Sequence, residues 1–199
     1  MKRNEVTNCL ICNAPLNHQI TWKSFLTNAF PKTICRECEQ KFVPYENTSK
    51  EVISLYQYND AMKDFLHRYK FMHDVMLAKV FRAQIHEQLS KTHATIVPIP
   101  LHPTKLKERS FAQVDELLKA AHIPYEHFLE KTTTETQVGK TRQERLATPQ
   151  FFKLIKNCKN KEIILVDDIY TTGATINHAK NLLLDSGEKS VRAFTLIRG

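Results

Sequence analysis

Residues 163–175 read IILVDDIYTTGAT, and this stretch decides the fold. Its four leading apolar residues, Ile163 to Val166, predict a buried strand. Two adjacent acids follow, and a turn of small and hydroxyl residues then leads into a segment with helical periodicity. A strand that passes through a short turn into a helix is the repeating unit of α/β proteins.

The rest of the chain repeats this alternation of strands and helices. We predict strands at 51–60 (a strand or hairpin edge), 94–100, 161–168 and 190–197, and helices at 61–71, 74–91, 110–122 and 175–187. Ser110 is the expected N-cap of the third helix, and Gly187 ends the last one. The pattern predicts an α/β fold with a parallel sheet, in which ligands bind beyond the carboxyl ends of the strands.

Three connections reach this ligand-binding edge in the predicted fold. They are residues 98–110, 130–145 and 167–175. The middle connection is rich in threonine and basic residues and poor in apolar ones, so we expect it to be the mobile one.

The turn after the two acids has the composition of a phosphate-binding loop. It consists of Thr171, Thr172, Gly173, Ala174 and Thr175, at the start of a predicted helix. Glycine allows close backbone approach, and N–H groups at a helix N-terminus attract anions. Since neither GxxxxGK[ST] nor GxGxxG is present, the loop suits one phosphate rather than a nucleotide triphosphate or a dinucleotide.

Asp167 and Asp168 directly precede this loop. At the end of a strand, two carboxylates can accept hydrogen bonds from the vicinal hydroxyls of a ribose. Diol acceptors next to a monophosphate loop suit a 5′-phosphoribosyl group. The alternative is that the two aspartates only form the junction between strand and helix, one as a helix cap and the other facing solvent.

Basic side chains concentrate in the two other connections. The chain carries 29 Lys and Arg against 21 Asp and Glu, a formal net charge of +8, which favours phosphate-rich partners. The candidates for binding pyrophosphate or a DNA backbone are Lys105, Lys107, Arg109, Lys140, Arg142 and Arg145. Tyr69, Phe71 and Tyr170 add aromatic rings of the kind that stack on unpaired bases, although core packing explains such rings equally well.

Four of the five cysteines form two CxxC pairs near the N-terminus. Cys9, Cys12, Cys35 and Cys38 can offer four thiolates to one zinc ion, which would then be structural because no coordination position stays open. A thioredoxin-like redox pair is the alternative, and His18 is a substitute ligand. Cys158 is expected to be a free thiol.

From the sequence we predict two domains and a cytosolic location. We place a zinc ribbon at residues 1–46, held together by its metal, and the α/β domain at 47–199. Neither a signal peptide nor an apolar run long enough to span a bilayer is evident in the sequence.

Beyond these residue-level arguments, the chain resembles the ComF/ComFC family of competence proteins. The resemblance rests on the four cysteines, on VPIPLHPTKLKERSFAQ (97–113), on TQVGKTRQERL (136–146) and on ILVDDIYTTGAT (164–175), which looks like the phosphoribosyl-pyrophosphate (PRPP) motif of type I phosphoribosyltransferases. Family members usually have Arg-Gly-Phe-Asn-Gln where this chain has RSFAQ, and Gly-Asp where it has His73-Asp74; Ser110, Ala112 and His73 are the departures.

The resemblance implies a type I phosphoribosyltransferase-like fold behind a zinc ribbon, and a role in natural transformation. Its members would handle incoming single-stranded DNA in the cytoplasm and bind PRPP with Mg²⁺. By position, Asp167 and Asp168 match the diol-binding acids and 171–175 the 5′-phosphate loop. Residues 98–109 take the place of the pyrophosphate loop and 132–145 that of the flexible loop. The implied partners are the competence helicase ComFA and other DNA-uptake proteins, which can bring the protein to the inner face of the membrane.

Three functions stay open from the sequence. The first is binding of single-stranded DNA and a phosphoribosyl group during transformation. The second is an active phosphoribosyltransferase, for which no base-acceptor pocket and no catalytic residue is identifiable in the sequence. The third is a regulator that senses PRPP and uses the ribbon to contact a partner.

Overall fold

The centre of the molecule is a four-stranded parallel sheet. The computed structural model describes residues 6–16, 30–132, 151–156 and 160–199. The strands are β1 (Val52–Gln57), β2 (Thr95–Pro98), β5 (Glu162–Tyr170) and β6 (Ser190–Arg198), in the order β1-β6-β5-β2. A two-stranded antiparallel sheet of β3 (Leu129–Lys131) and β4 (Phe152–Leu154) lies beside it. The predicted parallel α/β sheet is confirmed.

Helices cover both faces of the sheet. They are α1 (Arg36–Glu39), α2 (Asp60–Phe71), a 3-10 helix (Val75–Lys79), α3 (Arg82–Leu89), α4 (Pro103–Arg109), α5 (Gln113–Ala120) and α6 (Ala174–Asp185). On one face, α6 packs its buried Ile176, Ala179 and Leu183 with Ile163 and Leu165 of β5. On the other face, side chains of α2, α3 and α5 pack on Ile164, Val166, Phe194 and Leu196. The continuous apolar runs of β5 and β6 follow from burial on both faces.

The predicted helix at 74–91 is wrong as a single element. The 3-10 helix ends at Lys79, and α3 begins at Arg82 after Phe81, whose backbone angles (φ −106°, ψ 12°) leave the helical range. Val80 and Phe81 are both buried in the core. An uninterrupted helix would also bury both side chains on one face, so the helical spacing predicted their burial correctly but does not reveal the break at Phe81.

The predicted loop at 98–110 is also wrong, because it contains α4. Pro103 occupies the first turn, where a missing N–H costs nothing, and His102 Nδ1 accepts a hydrogen bond from Thr104 N at 3.3 Å. Ser110 has a left-handed conformation (φ 64°) and ends α4, whereas Ala112 is the N-cap of α5. The prediction of Ser110 as an N-cap is therefore wrong.

The first strand lies at one edge of the sheet, where residues 43–47 cover it. Tyr45 N donates to Leu55 O at 2.9 Å, and Gln57 N donates to Val43 O at 2.8 Å. The side-chain amide of Asn47 also pairs with the backbone of Ser54. The free edge of β1 is thus paired at Ser54, Leu55 and Gln57 although the strand has only one sheet neighbour.

The N-terminal cysteine segment packs into the core of the α/β domain. Cys9, Cys38 and Phe42 belong to the same buried cluster as Phe65 and Phe81. The rings of Phe42 and Phe81 meet edge to face at 4.9 Å between centroids. Among the helices of the described residues, none is long and apolar enough to cross a bilayer.

Candidate functional site

The IILVDDIYTTGAT stretch forms the end of β5, a short turn and the start of α6. The strand extends to Tyr170, beyond the predicted end at residue 168, so Asp167 and Asp168 lie inside it. Adjacent residues of a strand point to opposite faces, and the two carboxylates therefore have different neighbours.

Asp168 forms an ion pair with a lysine of α2. Lys70 Nζ lies 2.7 Å from Asp168 Oδ2, and the two side chains are only 14% and 9% exposed. The last turn of α2 is thereby attached to the strand that carries the motif. Sequence reasoning missed Lys70, although its place in the YKF stretch beside a predicted helix end was the available signal.

Asp167 lies in a polar row that crosses the sheet. It is in register with Thr195 of β6, which is in register with Ser54 of β1, and the hydroxyls of Ser54 and Thr195 are 2.7 Å apart. Asp168 N donates to Asp167 Oδ1 at 2.8 Å. Burial and the neighbouring charge of Asp168 raise the pKa of Asp167 from 3.8 to about 7. The carboxyl is thus poised to change its protonation near neutral pH.

The turn is shaped around Gly173. Its backbone is left-handed (φ 75°), and it is the N-cap of α6. A Cβ atom at this position would lie 2.2 Å from Tyr170 Oη. Thr171 and Thr172 are exposed and Thr175 partly exposed next to the helix N-terminus, and Thr172 Oγ1 accepts a hydrogen bond from Ala174 N at 3.4 Å. The geometry needs glycine on both counts, conformation and space.

The basic residues of α4 divide between two sides of the helix. Lys105 and Arg109 are four residues apart and share a face, whereas Lys107 lies on the other side and is exposed. Burial lowers the pKa of Lys131 at the end of β3; Asp167 opposes this shift, while Lys105 and Arg109 reinforce it. Three cations therefore lie within electrostatic range of one another and one of the acids, and Lys131 is a member that the sequence did not reveal.

The three aromatic residues have three different environments. Tyr69 is fully buried and donates its hydroxyl to Gln113 O at 2.7 Å, so it belongs to the core. Phe71 is 63% exposed, and the guanidinium of Arg109 lies 5.7 Å from its ring centroid. Tyr170 is partly exposed, with Arg198 at 4.1 Å from its ring centroid. Phe71 and Tyr170 keep surface for a ligand, and Tyr69 does not.

Several predicted residues lie outside the described part of the chain. These are Lys140, Arg142 and Arg145 of the 130–145 connection, together with His18 and Cys158. The described cations at the site are therefore those of α2, α4 and β3, together with Arg198 of β6 beside Tyr170.

The four N-terminal cysteines form a group that could hold a metal ion. Their Sγ atoms all lie within 4.8 Å of one another, and those of Cys12 and Cys35 are 3.7 Å apart. A tetrahedral zinc site with bonds of about 2.3 Å requires sulfur separations of about 3.8 Å, so the geometry fits.

One thiol of this group is prepared for ionisation. Cys35 N donates to Cys9 Sγ at 3.3 Å. Burial opposes ionisation of Cys9, but backbone N–H groups outweigh it and lower the pKa of this thiol to about 6. Since metals bind thiolates, the environment of Cys9 favours a bound metal such as zinc, whereas burial raises the pKa of Cys38 in the metal-free group.

Comparison with known proteins agrees with this geometry. Residues 76–199 match the family described as "Phosphoribosyl transferase domain". The chain therefore belongs to the phosphoribosyltransferase-domain class, as its parallel sheet and the β5–turn–α6 unit already indicated.

Whole-chain relatives narrow the assignment. "Competence protein ComFC" of Streptococcus pneumoniae is 36% identical over 96% of this chain and 99% of its own length. "Competence protein ComFC" of Bacillus subtilis is 31% identical over 96% and 94%. "DNA utilization protein YhgH" of Salmonella typhi is 26% identical over 98% and 86%. The chain is a member of the ComF/ComFC family of competence proteins.

Proposed function

We propose that this competence-family protein binds a phosphoribosyl group at Asp167, Asp168 and residues 171–175, and single-stranded DNA along the adjoining basic surface. The observation that carries the proposal is the convergence of two acids, a glycine turn at a helix N-terminus and several cations at the carboxyl edge of β5. The 5′-phosphate would lie on the turn, and the ribose hydroxyls would donate to the carboxylates.

PRPP with Mg²⁺ is the free ligand that best suits these residues. Its pyrophosphate needs positive charge, which Lys105, Arg109 and Lys131 offer near Asp167. Mg²⁺ prefers phosphate and carboxylate oxygens as ligands. When bound with PRPP, it would neutralise the negative charge of the pyrophosphate. Lys70 forms an ion pair with Asp168. When Asp167 loses its proton, both of its carboxylate oxygens can accept hydrogen bonds from the ligand.

Single-stranded DNA is the macromolecular ligand that the charge favours. The formal net charge is +8, and Arg109, which shares the last turn of α4 with Lys107, lies beside the exposed ring of Phe71. The names of the relatives, competence protein and DNA utilization protein, support a DNA-handling role. The proposal also includes a zinc ribbon at residues 1–46, the cytoplasm as the place of action and the helicase ComFA as a partner.

Transfer of phosphoribose to a free base is the second candidate function. Two cavities in the described part of the chain, of about 530 and 100 Å³, share Lys50, Ile53 and Gln88. Neither is lined by Asp167, Asp168 or residues 171–175. Pyrophosphate release from PRPP in the presence of each nucleobase tests this second candidate.

Calorimetric titration with PRPP and Mg²⁺ tests the phosphoribosyl claim. Wild type should bind, and Asp167→Ala with Asp168→Ala should not, while the exposed control Asp64→Ala should match wild type. Binding of PRPP by the double variant with unchanged affinity would refute the assignment.

A salt titration tests the DNA claim. The logarithm of the affinity for an oligodeoxythymidylate should fall linearly with the logarithm of salt concentration, by roughly 0.7 per phosphate contact. An affinity that does not depend on salt would remove the claim.

A further inference from the structure

The end of α2 carries an apolar surface that packing does not explain. Phe71 and Met72 are 63% and 64% exposed, and Val75 and Met76 in the following 3-10 helix are 40% and 41% exposed. By contrast, Met62, Phe65 and Tyr69 of the same helix are at most 1% exposed. We call Phe71, Met72, Val75 and Met76 the apolar patch. A contiguous group of this kind on a protein surface commonly marks a binding site.

The apolar patch borders the candidate phosphoribosyl site. Lys70, the residue before Phe71, is fixed to Asp168 by its 2.7 Å ion pair. On the other side, Arg109 lies over the Phe71 ring and is itself held by Gln113 Oε1 at 3.0 Å. Arg109 is also one of the cations that act on Lys131, which is in turn close to Asp167. Phe71 is thus adjacent to the ion pair of Asp168, and its partner Arg109 acts electrostatically on the same lysine as Asp167 does.

The chemistry of the apolar patch suits a planar aromatic group with a neighbouring negative charge. An exposed phenyl ring backed by a guanidinium is the arrangement on which unpaired nucleobases stack. Methionine side chains adapt to rings of different shape, which permits binding without sequence preference. The guanidinium of Arg109 at the ring of Phe71, and the position of the patch next to the Lys70–Asp168 pair, favour a nucleobase over the apolar face of a partner protein.

We propose that Phe71 and Met72, flanked by Arg109, form a stacking platform for a nucleobase whose sugar phosphate is bound at Asp167, Asp168 and residues 171–175. The proposal rests on the proposed function, since it assigns the base position next to that site. The base can belong to a free 5′-nucleotide or to an unpaired residue of a single strand, because both present the same ring and sugar phosphate.

Phe71→Ala, Phe71→Tyr and the control Leu184→Ala test the platform. Leu184 is 39% exposed near the far end of α6, so its loss removes apolar surface away from the site. Binding is measured by fluorescence anisotropy with an oligodeoxythymidylate and with an abasic strand of equal length. Titrations with a 5′-mononucleotide and with ribose 5-phosphate form the second arm.

Phe71→Ala should weaken binding of the base-containing strand roughly tenfold and leave binding of the abasic strand unchanged. Phe71→Tyr should restore binding, and Leu184→Ala should equal wild type. If a free nucleotide is the source, the mononucleotide should lose affinity in Phe71→Ala while ribose 5-phosphate does not; if a strand is the source, only the oligonucleotide should respond.

The two proposals fail in different ways. Wild type that binds neither PRPP nor DNA refutes the proposed function and the platform with it. Wild type that binds both, with Phe71→Ala equal to Leu184→Ala on every probe, refutes the platform alone. An equal loss on the base-containing and abasic strands, or loss of a protein partner with all nucleotide binding intact, also refutes the platform.

Discussion

Lys70 Nζ lies 2.7 Å from Asp168 Oδ2, and this ion pair connects the C-terminal turn of α2 with the strand that carries the candidate phosphoribosyl motif. Both side chains are largely buried, so neither charge is well solvated without the other. The same turn of α2 holds Arg68, which donates to the backbone carbonyls of Leu10 and Ile11, between the first two cysteines. One helix end therefore contacts both the cysteine group and the site.

Loss of either partner of the Lys70–Asp168 pair should destabilise the protein. Lys70→Met leaves the buried carboxylate unpaired, and we expect a loss of about 3 kcal/mol in the free energy of unfolding. Combining Lys70→Met with Asp168→Asn should recover part of this loss, because the uncompensated charge is gone. Urea denaturation of the four proteins measures the coupling, and strictly additive effects would contradict the pairing.

Stability should depend on pH through Asp167. Because burial raises its pKa to about 7, the folded chain retains a proton that the unfolded chain releases near its ordinary value of 3.8. Stability contributed by this group is thus fully present below pH 4 and is lost as pH rises through 7.

Asp167→Asn should therefore stabilise the protein at pH 8, by on the order of 2–4 kcal/mol, and have no effect at pH 4 if the fold persists there. Thermal melts across pH 4 to 8 give the measurement, with Asp64→Asn as an exposed control. A stabilisation that is the same at every pH would show that the charge is not its cause.

Two glycines of the described residues allow strain to be separated from binding. Gly173 (φ 75°) and Gly187 (φ 99°) lie at opposite ends of α6, and alanine at either should cost about 1 kcal/mol of stability. Gly173→Ala should also displace Tyr170 and weaken PRPP binding, because its Cβ would lie 2.2 Å from Tyr170 Oη. Gly187→Ala should bind PRPP as wild type does, and equal binding losses in both variants would contradict the assigned role of the turn.

Removal of the metal should lower stability beyond the cysteine segment. We expect one zinc ion per chain by mass spectrometry and a lower melting temperature after chelation, because Cys9 and Cys38 share a core with Phe65 and Phe81. Cys35→Ser should lose the zinc and Cys158→Ser should keep it. If the purified Cys35→Ser variant contains as much zinc as wild type, the four-cysteine site is ruled out.

Sequence reasoning succeeded where a local pattern determines the structure. A pattern of a few neighbouring residues was enough to predict three features. These are the strand before Asp167, the turn around Gly173 and the proximity of the paired cysteines. It failed at residues 74–91, where the backbone leaves the helical range at Phe81 although the apolar spacing is helical throughout, and at 98–110, where Pro103 starts a helix that looked like a loop.

The remaining members of the site could not be predicted because long-range contacts define them. Lys70 is far from Asp168 in sequence, and only the docking of α2 on the sheet brings them together. Lys131 has no motif around it, and its role follows from the position of β3 beside Asp167. The exposure of Phe71 likewise depends on where α2 ends, since Tyr69, two residues earlier, is fully buried.

A crystal structure of the zinc-loaded protein with PRPP and Mg²⁺ tests the central claim most directly. We predict the 5′-phosphate on the backbone N–H groups of residues 173–175 and the ribose hydroxyls within hydrogen-bonding distance of Asp167 and Asp168. Ligand density at another place on the molecule, with Asp167 and Asp168 free of contacts to the sugar, would contradict the account.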